Sequence, residues 1–111
     1  MNLAIDFDGV LHNPDNVPKG HALGQPIHGA VEAMKELSKH NFITIFTVRA
    51  SGPASTEAVQ KWLDYFDIPY QRITNVKENF DLFIDDRAIQ FIDWDNAIKQ
   101  IQMITELTDG E

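Results

Sequence analysis

The sequence of 111 residues contains no cysteine. This absence excludes a disulfide scaffold, a thiolate metal site and a cysteine nucleophile, and it fits a reducing compartment. No stretch approaches the roughly 18 consecutive apolar residues that a membrane-spanning helix requires. The chain also does not open with a basic segment followed by a long apolar one, as a signal peptide does. We therefore expect a cytoplasmic protein without a membrane partner.

Basic residues are few, with 9 lysines and arginines against 17 acidic residues and a formal net charge of −8. Such a surface repels nucleic acid, so a nucleic-acid partner is not expected. The length suits one domain, and a hydrophobic fraction of 43% is ordinary for a globular protein. We expect a single domain over residues 1–111 and leave open whether copies of it form a homo-oligomer.

Short apolar segments alternate with segments whose apolar residues recur at helical spacing. The predicted strands are 2–7, 42–46, 70–73, 82–84 and an edge strand over 88–92. The predicted helices are 29–40, one capped by Ser55, and one capped by Asp93 or Asp95, with Trp62 and Trp94 as core residues. Residues 9–28 are predicted to form an irregular loop or small hairpin, and 108–111 a frayed tail. This alternation predicts an α/β fold whose central, mostly parallel sheet is covered on both faces, as a three-layer sandwich.

Asp6-Phe7-Asp8-Gly9-Val10 directly follows the first predicted strand. Two carboxylates this close disfavour each other's ionised form unless a cation or a reaction uses them. Gly9 allows the sharp turn by which the strand leaves the sheet beside its own carboxylates. The segment therefore indicates a site for a metal ion and a phosphate group.

Further polar residues follow other predicted strands. Thr47 ends the second strand, Asp85 and Asp86 end the fourth, and Lys77 lies in the loop after the third. Ligands of parallel α/β sheets bind at the carboxyl ends of the strands. We therefore expect these side chains to gather with Asp6 and Asp8 at one edge of the sheet.

In this order the motifs resemble those of the haloacid dehalogenase-like (HAD) hydrolase superfamily, in particular its small capless phosphatases. The segment from Asp6 to Val10 looks like the first motif, Thr47 the second, Lys77 the third and Ile84-Asp85-Asp86 the fourth. The resemblance covers nearly the whole chain, to about residue 104. It implies a Rossmann-like core with strand order 3-2-1-4-5 and no cap domain.

The resemblance also implies roles for the residues. Asp6 would attack phosphorus and form an aspartyl-phosphate, and Asp8 would act as general acid and base, a role that needs a raised pKa. Thr47 would donate its hydroxyl and a backbone N–H to the phosphate, and Lys77 would offset negative charge. The expected cofactor is Mg²⁺, held by Asp6, Asp85 and the backbone carbonyl of Asp8.

Several assignments keep alternatives. Asp86 is expected to reach the metal through water or to be a simple cap or surface residue. Arg72 or Arg87 could do the electrostatic work of Lys77. Arg49, two residues after Thr47, could bind a second anionic group of the substrate or pair with surface acids. The three histidines of the 9–28 loop are read as surface or substrate-side residues whose roles stay open: His12, His21 and His28.

The intervals that hold a cap domain in larger relatives are short here, a loop over 9–28 and one helix over 50–70. An open site does not select a substrate by enclosing it, so the expected partner is either a small phosphorylated molecule or a larger phosphorylated species. The sequence therefore predicts a Mg²⁺-dependent hydrolase of phosphomonoesters. The alternative is a non-catalytic module on the same fold that binds Mg²⁺ and phosphate; a phosphomutase would need a closed site.

Overall fold

Strands and helices alternate along the chain in the computed structural model, which describes the backbone of residues 1–109 and the side chains of residues 1–106. The elements in chain order are β1 (Asn2–Asp6), α1 (Ala30–Leu37), β2 (Phe42–Phe46), α2 (Pro53–Tyr65), β3 (Arg72–Thr74), β4 (Leu82–Ile84) and α3 (Trp94–Asp109).

The four strands form one parallel sheet in the order β3-β2-β1-β4. Ile5 of β1 lies opposite Ile45 of β2 on one side and Ile84 of β4 on the other. The carboxyl ends of β1, β2 and β4 therefore meet at one edge of the sheet. The predicted α/β class and parallel sheet are confirmed.

The predicted fifth strand is wrong. Residues 88–92 all lie within the described part of the chain and form no strand. Directly after β4 the backbone N–H of Arg87 donates to Oδ1 of Asp85 (2.7 Å), which turns the chain. Ala88 and Ile89 then line a cavity beside β4 without pairing with it. The described sheet has four strands, so the five-stranded, three-layer core is not confirmed.

The hydrophobic core lies on one face of the sheet. Alternate residues of a strand point to the same face, and the face carrying Leu3 and Ile5 is covered by α1 and α2. Its buried members from these strands and helices are Leu3, Ile5, Ile43, Ile45, Ala30, Met34, Val59, Trp62 and Leu63. Trp62 is 7% exposed, which confirms its predicted core position.

The large apolar side chains of β4, and those of α3 up to residue 106, are exposed. Phe83 is 41% exposed, Ile98 49% and Trp94 70%. The prediction that Trp94 is a core residue is therefore wrong, because helical spacing marks an apolar stripe but not the surface that covers it. In the described helix, Trp94 contacts the ring of Phe91 instead (5.3 Å between centroids).

The helix starts follow the capping chemistry only in part. The backbone N–H of Asn96 donates to Oδ1 of Asp93 (2.8 Å), so Asp93, and not Asp95, caps α3. The prediction that Ser55 caps α2 is wrong, since the helix begins at Pro53. The fixed φ of proline suits the first helical position, and the hydroxyl of Ser55 donates back to the carbonyl of Gly52 (3.3 Å).

The loop over 9–28 folds back on the end of β1. The backbone N–H groups of Leu11 and His12 both donate to the carbonyl of Phe7, at 2.9 Å each, and that of Ile27 donates to Leu11 (2.7 Å). His12 also forms an isolated antiparallel bridge with Pro26. The loop is thus held as a small irregular hairpin against the core.

At the other end, α3 continues to Asp109. The predicted frayed tail therefore begins with two helical residues, and residues 110–111 lie outside the described residues. No described helix combines the length and the apolar character needed to cross a membrane.

Candidate functional site

Three carboxylates converge at the carboxyl edge of the sheet. Asp6 is the last residue of β1, and Asp85 and Asp86 directly follow β4, the strand paired with β1. One carboxylate oxygen from each of the three lies within 4.8 Å of the others. The parallel pairing of two strands distant in sequence thus builds a group of acidic ligands.

This donor set fits a hard divalent cation. Mg²⁺ takes oxygen ligands, and opposite ligands around it lie about 4.2 Å apart, close to the spread of these carboxylates. Among residues 1–106, no lysine or arginine forms an ion pair with Asp6, Asp85 or Asp86. Their negative charge is left for a bound cation to neutralise.

Gly9 makes room for this arrangement. Its φ of +88° lies in the left-handed region that side chains rarely adopt. A Cβ at this position would also overlap the carboxylate of Asp86. The glycine of the first motif therefore serves both the turn after β1 and the approach of Asp86 to Asp6.

The electrostatics of Asp6 reflect this crowding. Burial and, second, the charge of Asp85 raise the pKa of Asp6 from 3.8 to about 6. Asp86 and Asp8 add smaller contributions in the same direction, while the backbone N–H of Phe7 opposes them. A cation between Asp6 and Asp85 would offset the repulsion from the neighbouring carboxylates and favour the ionised form of Asp6.

The carboxylate of Asp8 lies outside this acidic group and binds two other side chains. Nε–H of Arg49 donates to Oδ2 (2.7 Å) and Nη2–H to Oδ1 (3.2 Å). Nδ1 of His12 lies 2.7 Å from Oδ1. Arg49 was expected to bind a second anionic group of the substrate or to pair with surface acids. In the structure it pairs with an acid, but that acid is Asp8 of the site.

The expected direction of the Asp8 pKa is wrong. Burial alone would raise the pKa of Asp8, but the hydrogen bonds from Arg49 and His12 and the charge of Arg49 outweigh it and lower that pKa. Asp86, and not the Asp8 side chain, joins Asp6 and Asp85, whereas the Asp8 carboxylate is held by Arg49 and His12.

His12 is a site residue that the sequence did not reveal. Its side chain is fully buried, so its reading as a surface or substrate-side residue is wrong, whereas His21 and His28 are exposed as expected. The only signal was its position directly after Leu11, an apolar residue that is itself buried. Apolar residues within a loop indicate that the loop packs on the core.

Thr47 and Lys77 lie where the motifs place them, at the same edge. The backbone N–H of Thr47 donates to the carbonyl of Thr74 (2.9 Å), so it serves the structure and not a ligand. Its hydroxyl oxygen accepts the backbone N–H of Arg49 (3.2 Å), which leaves the hydroxyl proton free to donate. Lys77 lies over the ring of Phe83, with Nζ 5.3 Å from its centroid.

The cations that compete with Lys77 are placed differently. Arg72 forms two hydrogen bonds with Glu78, at 2.6 and 2.8 Å, and is occupied there. Arg87 lines a cavity of about 300 Å³ together with Asp6 and Asp86. Lys77 lines a second cavity, of about 600 Å³, with Asp6. Lys77 and Arg87 are thus both near the acidic group, on different sides of it.

No protein-family model and no curated protein matches the chain. Among solved structures it is similar to a conserved protein coded by a locus from Bacteroides thetaiotaomicron. The similarity has a TM-score of 0.65 and 23% identity and covers 93% of this chain and 90% of that one. At this identity the likeness shows the fold alone: a small α/β unit.

Proposed function

We propose that the chain is a Mg²⁺-dependent phosphatase, a small capless member of the haloacid dehalogenase-like superfamily. It hydrolyses a phosphomonoester through an aspartyl-phosphate on Asp6. The observation that carries the proposal is the convergence of Asp6 with Asp85 and Asp86 from two paired strands, with Asp8 two residues away. The order of the four sequence motifs supports the same reading.

The metal ion would be held by the carboxylates of Asp6, Asp85 and Asp86. When bound, Mg²⁺ supplies the positive charge that offsets these carboxylates and the phosphoryl oxygens. Lys77, which forms no ion pair among residues 1–106, adds a mobile point charge on the same side as Asp6. The hydroxyl of Thr47 can donate to a phosphoryl oxygen.

Asp6 provides the nucleophile. With a pKa of about 6, its carboxyl is mostly ionised at neutral pH even before a cation binds. A carboxylate oxygen forms a bond to phosphorus while the bond from phosphorus to the ester oxygen breaks. Asp8 gives a proton to the departing oxygen. Water then attacks phosphorus and gives a proton to Asp8, and the bond from phosphorus to Asp6 breaks.

Asp8 needs a proton for the first of these steps, although its resting environment lowers its pKa. Movement of Arg49 offers a way to raise the pKa of Asp8 so that its carboxyl takes up a proton. The side chain of Arg49 is 37% exposed and its guanidinium matches a phosphate as well as a carboxylate. A substrate phosphate that draws Arg49 away removes two hydrogen bonds and a positive charge from Asp8. The pKa of Asp8 then rises when substrate binds.

The substrate is a phosphorylated species. It can be small or larger, because the intervals before α1 and between β2 and β3 hold no second domain that would cover the site. The loop over 9–28 and α2 fill them. An open edge lets a phosphate on a bulky molecule reach the acidic group. It gives little enclosure to a small one.

The test is hydrolysis of p-nitrophenyl phosphate, sugar phosphates and nucleotides with and without Mg²⁺. We expect Mg²⁺-dependent release of phosphate that falls to background in Asp6→Asn. In Asp8→Asn it falls about 10²- to 10⁴-fold, the range for a lost general acid and base. The exposed Asp95 supplies the control, and Asp95→Asn is expected to keep wild-type activity. Near wild-type hydrolysis by Asp6→Asn would remove the aspartyl-phosphate route.

A non-catalytic module that binds Mg²⁺ and phosphate is the second candidate. The lowered pKa of Asp8 favours it, because a carboxylate held ionised by Arg49 and His12 is a poor acid at rest. This candidate predicts Mg²⁺-dependent binding of phosphate without release from any substrate of the panel. The hydrolysis assay and the binding of inorganic phosphate together separate the two.

A further inference from the structure

We propose that His12 is a positioning residue that holds the Asp8 carboxylate in its working orientation through Nδ1–H. The inference rests on the proposed function, in which Asp8 moves the protons. His12 itself touches neither the acidic group nor the open cavities beside it. It acts on the reaction only through Asp8.

The first support is the tautomer of His12. Its Nε2 lies 2.8 Å from the backbone nitrogen of Gly24, and a backbone N–H can only donate. Nε2 therefore accepts and carries no proton. The ring proton must then lie on Nδ1, where it points at Oδ1 of Asp8, 2.7 Å away. The hydrogen bond at one nitrogen thus fixes the donor at the other.

The second support is the rigidity of the ring. His12 is 0% exposed. It stacks on Phe7 with 5.2 Å between centroids and 6° between planes, and Trp62 meets it edge-on at 5.6 Å. A ring packed on its face and its edge, with both nitrogens bonded, has one orientation.

The third support is that the hydrogen bonds continue into α2. The carbonyl of Gly24 accepts Nε1–H of Trp62 (2.8 Å). Gly24 has no space for a side chain, since a Cβ there would lie 2.9 Å from the carbonyl oxygen of Asn16. Asp8, His12, Gly24 and Trp62 therefore form one continuous chain from the end of β1 to a buried helix.

The two residues that donate to Asp8 consequently differ in their exposure and in their freedom to move. Arg49 is partly exposed and can turn towards a substrate phosphate, whereas His12 is enclosed and cannot leave. Once Arg49 binds substrate, His12 is the donor that keeps the Asp8 carboxylate aimed at the leaving oxygen. A general acid that is misplaced by about 1 Å can lose about 10²-fold in rate.

The experiment compares two substitutions that each keep one half of the histidine. In His12→Asn the amide nitrogen can replace Nδ1 and still donate to Asp8. In His12→Gln the amide oxygen can replace Nε2 and accept from Gly24, but the donor to Asp8 is lost. We expect kcat to fall about 10- to 100-fold in His12→Gln, as for a lost orienting partner. His12→Asn should keep most of the wild-type kcat, and KM should change little in both.

His21→Asn, on the exposed part of the same loop, is the control and should behave as wild type. Equal kcat values for His12→Gln and wild type would overturn the proposal. An equal fall in His12→Gln and His12→Asn would also overturn it, because that pattern reports packing and not the hydrogen bond to Asp8.

A readout that needs no activity and no His12 variant is the ¹⁵N NMR spectrum of the histidine rings. We expect the His12 proton on Nδ1 in the wild type and a shift of that nitrogen in Asp8→Asn. A proton on Nε2 of His12, or an Nδ1 signal that does not shift in Asp8→Asn, would contradict the proposed contact. If the wild type hydrolyses nothing, the proposed function fails, while this spectrum still decides whether His12 holds Asp8.

Discussion

Asp6 and Asp8 lie two residues apart but in opposite electrostatic environments. Asp6 faces Asp85 and is partly buried, which raises its pKa, whereas Arg49 and His12 lower the pKa of Asp8. The Asp6 carboxylate lies with Asp85 and Asp86, whereas the Asp8 carboxylate is bound by Arg49 and His12. In the proposed mechanism, Asp6 binds the metal ion and Asp8 transfers the protons.

The Asp6 pKa predicts a pH dependence of stability without divalent cations. Unfolded Asp6 loses its proton near 3.8, but folded Asp6 keeps it to about pH 6. Between these values the folded chain binds more protons than the unfolded chain. The contribution of Asp6 to the free energy of unfolding therefore falls as the pH rises through this window.

Urea denaturation at several pH values in a chelating buffer measures this effect. Wild type should lose stability relative to Asp6→Asn as the pH rises from 3.8 to about 6, and above that the difference should stay constant. The Asp8 carboxyl, whose pKa is lowered, acts below this window. Parallel curves for wild type and Asp6→Asn would show that the Asp6 pKa is not raised.

At the residue scale, the sequence predicted that Asp6 and Asp85 lie together, but it did not predict the contact of His12 with Asp8. Asp6 and Asp85 could be placed together because each ends an apolar segment with a clear strand pattern. The contact of His12 with Asp8 could not, since it depends on how a loop without regular structure folds back on Phe7. A contact within an irregular loop leaves no periodic signal in the sequence, even between residues only four positions apart.

At the scale of elements, the indole of Trp62 joins the 9–28 loop to α2 by a hydrogen bond. Trp62 buries its ring against Phe7 and Phe66 and donates Nε1–H to the carbonyl of Gly24. This bond ties the loop, and through His12 the Asp8 carboxylate, to a helix of the core. The loop that the sequence describes only as irregular is therefore anchored at Gly24, four residues before its end.

Trp62→Phe should keep the aromatic packing but leave the buried carbonyl of Gly24 without its donor. An unsatisfied buried group costs about 1–3 kcal/mol, and we expect this loss in the free energy of unfolding measured with urea. Trp94→Phe is the matched control, because Trp94 is 70% exposed, and it should change stability by less than about 0.5 kcal/mol. Equal losses in the two variants would show that the Trp62 hydrogen bond does not anchor the loop.

Strands 42–46 and 82–84 were predicted with their observed bounds, because each is a short apolar run between polar residues. The segment 88–92 has similar composition but follows the turn at Asp85, which takes it away from β4. Its composition alone could not show this, since a strand also needs an unpaired edge within reach. Helix α2 starts two residues before the predicted cap at Ser55, because Pro53 suits the first helical position.

At the scale of the whole molecule, the order of the strands brings together acidic residues that are far apart in the sequence. The chain runs through β2 and β3 on one side of β1 before it returns to place β4 on the other. This crossover brings residues 85 and 86 beside residue 6. The same fold recurs in the Bacteroides protein at a TM-score of 0.65. The alternation of elements predicted the parallel sheet, and the family resemblance implied the order of its four described strands. Neither predicted the exposed apolar surface of α3.

The most direct test of the central claim is titration of the purified chain with Mg²⁺ in a calorimeter, in parallel with Asp6→Asn, Asp85→Asn and Asp95→Asn. We expect one bound ion per chain in the wild type and in Asp95→Asn, and loss of that binding in the other two variants. Absence of Mg²⁺ binding by the wild type, or unchanged binding when Asp6 or Asp85 is replaced, would contradict it.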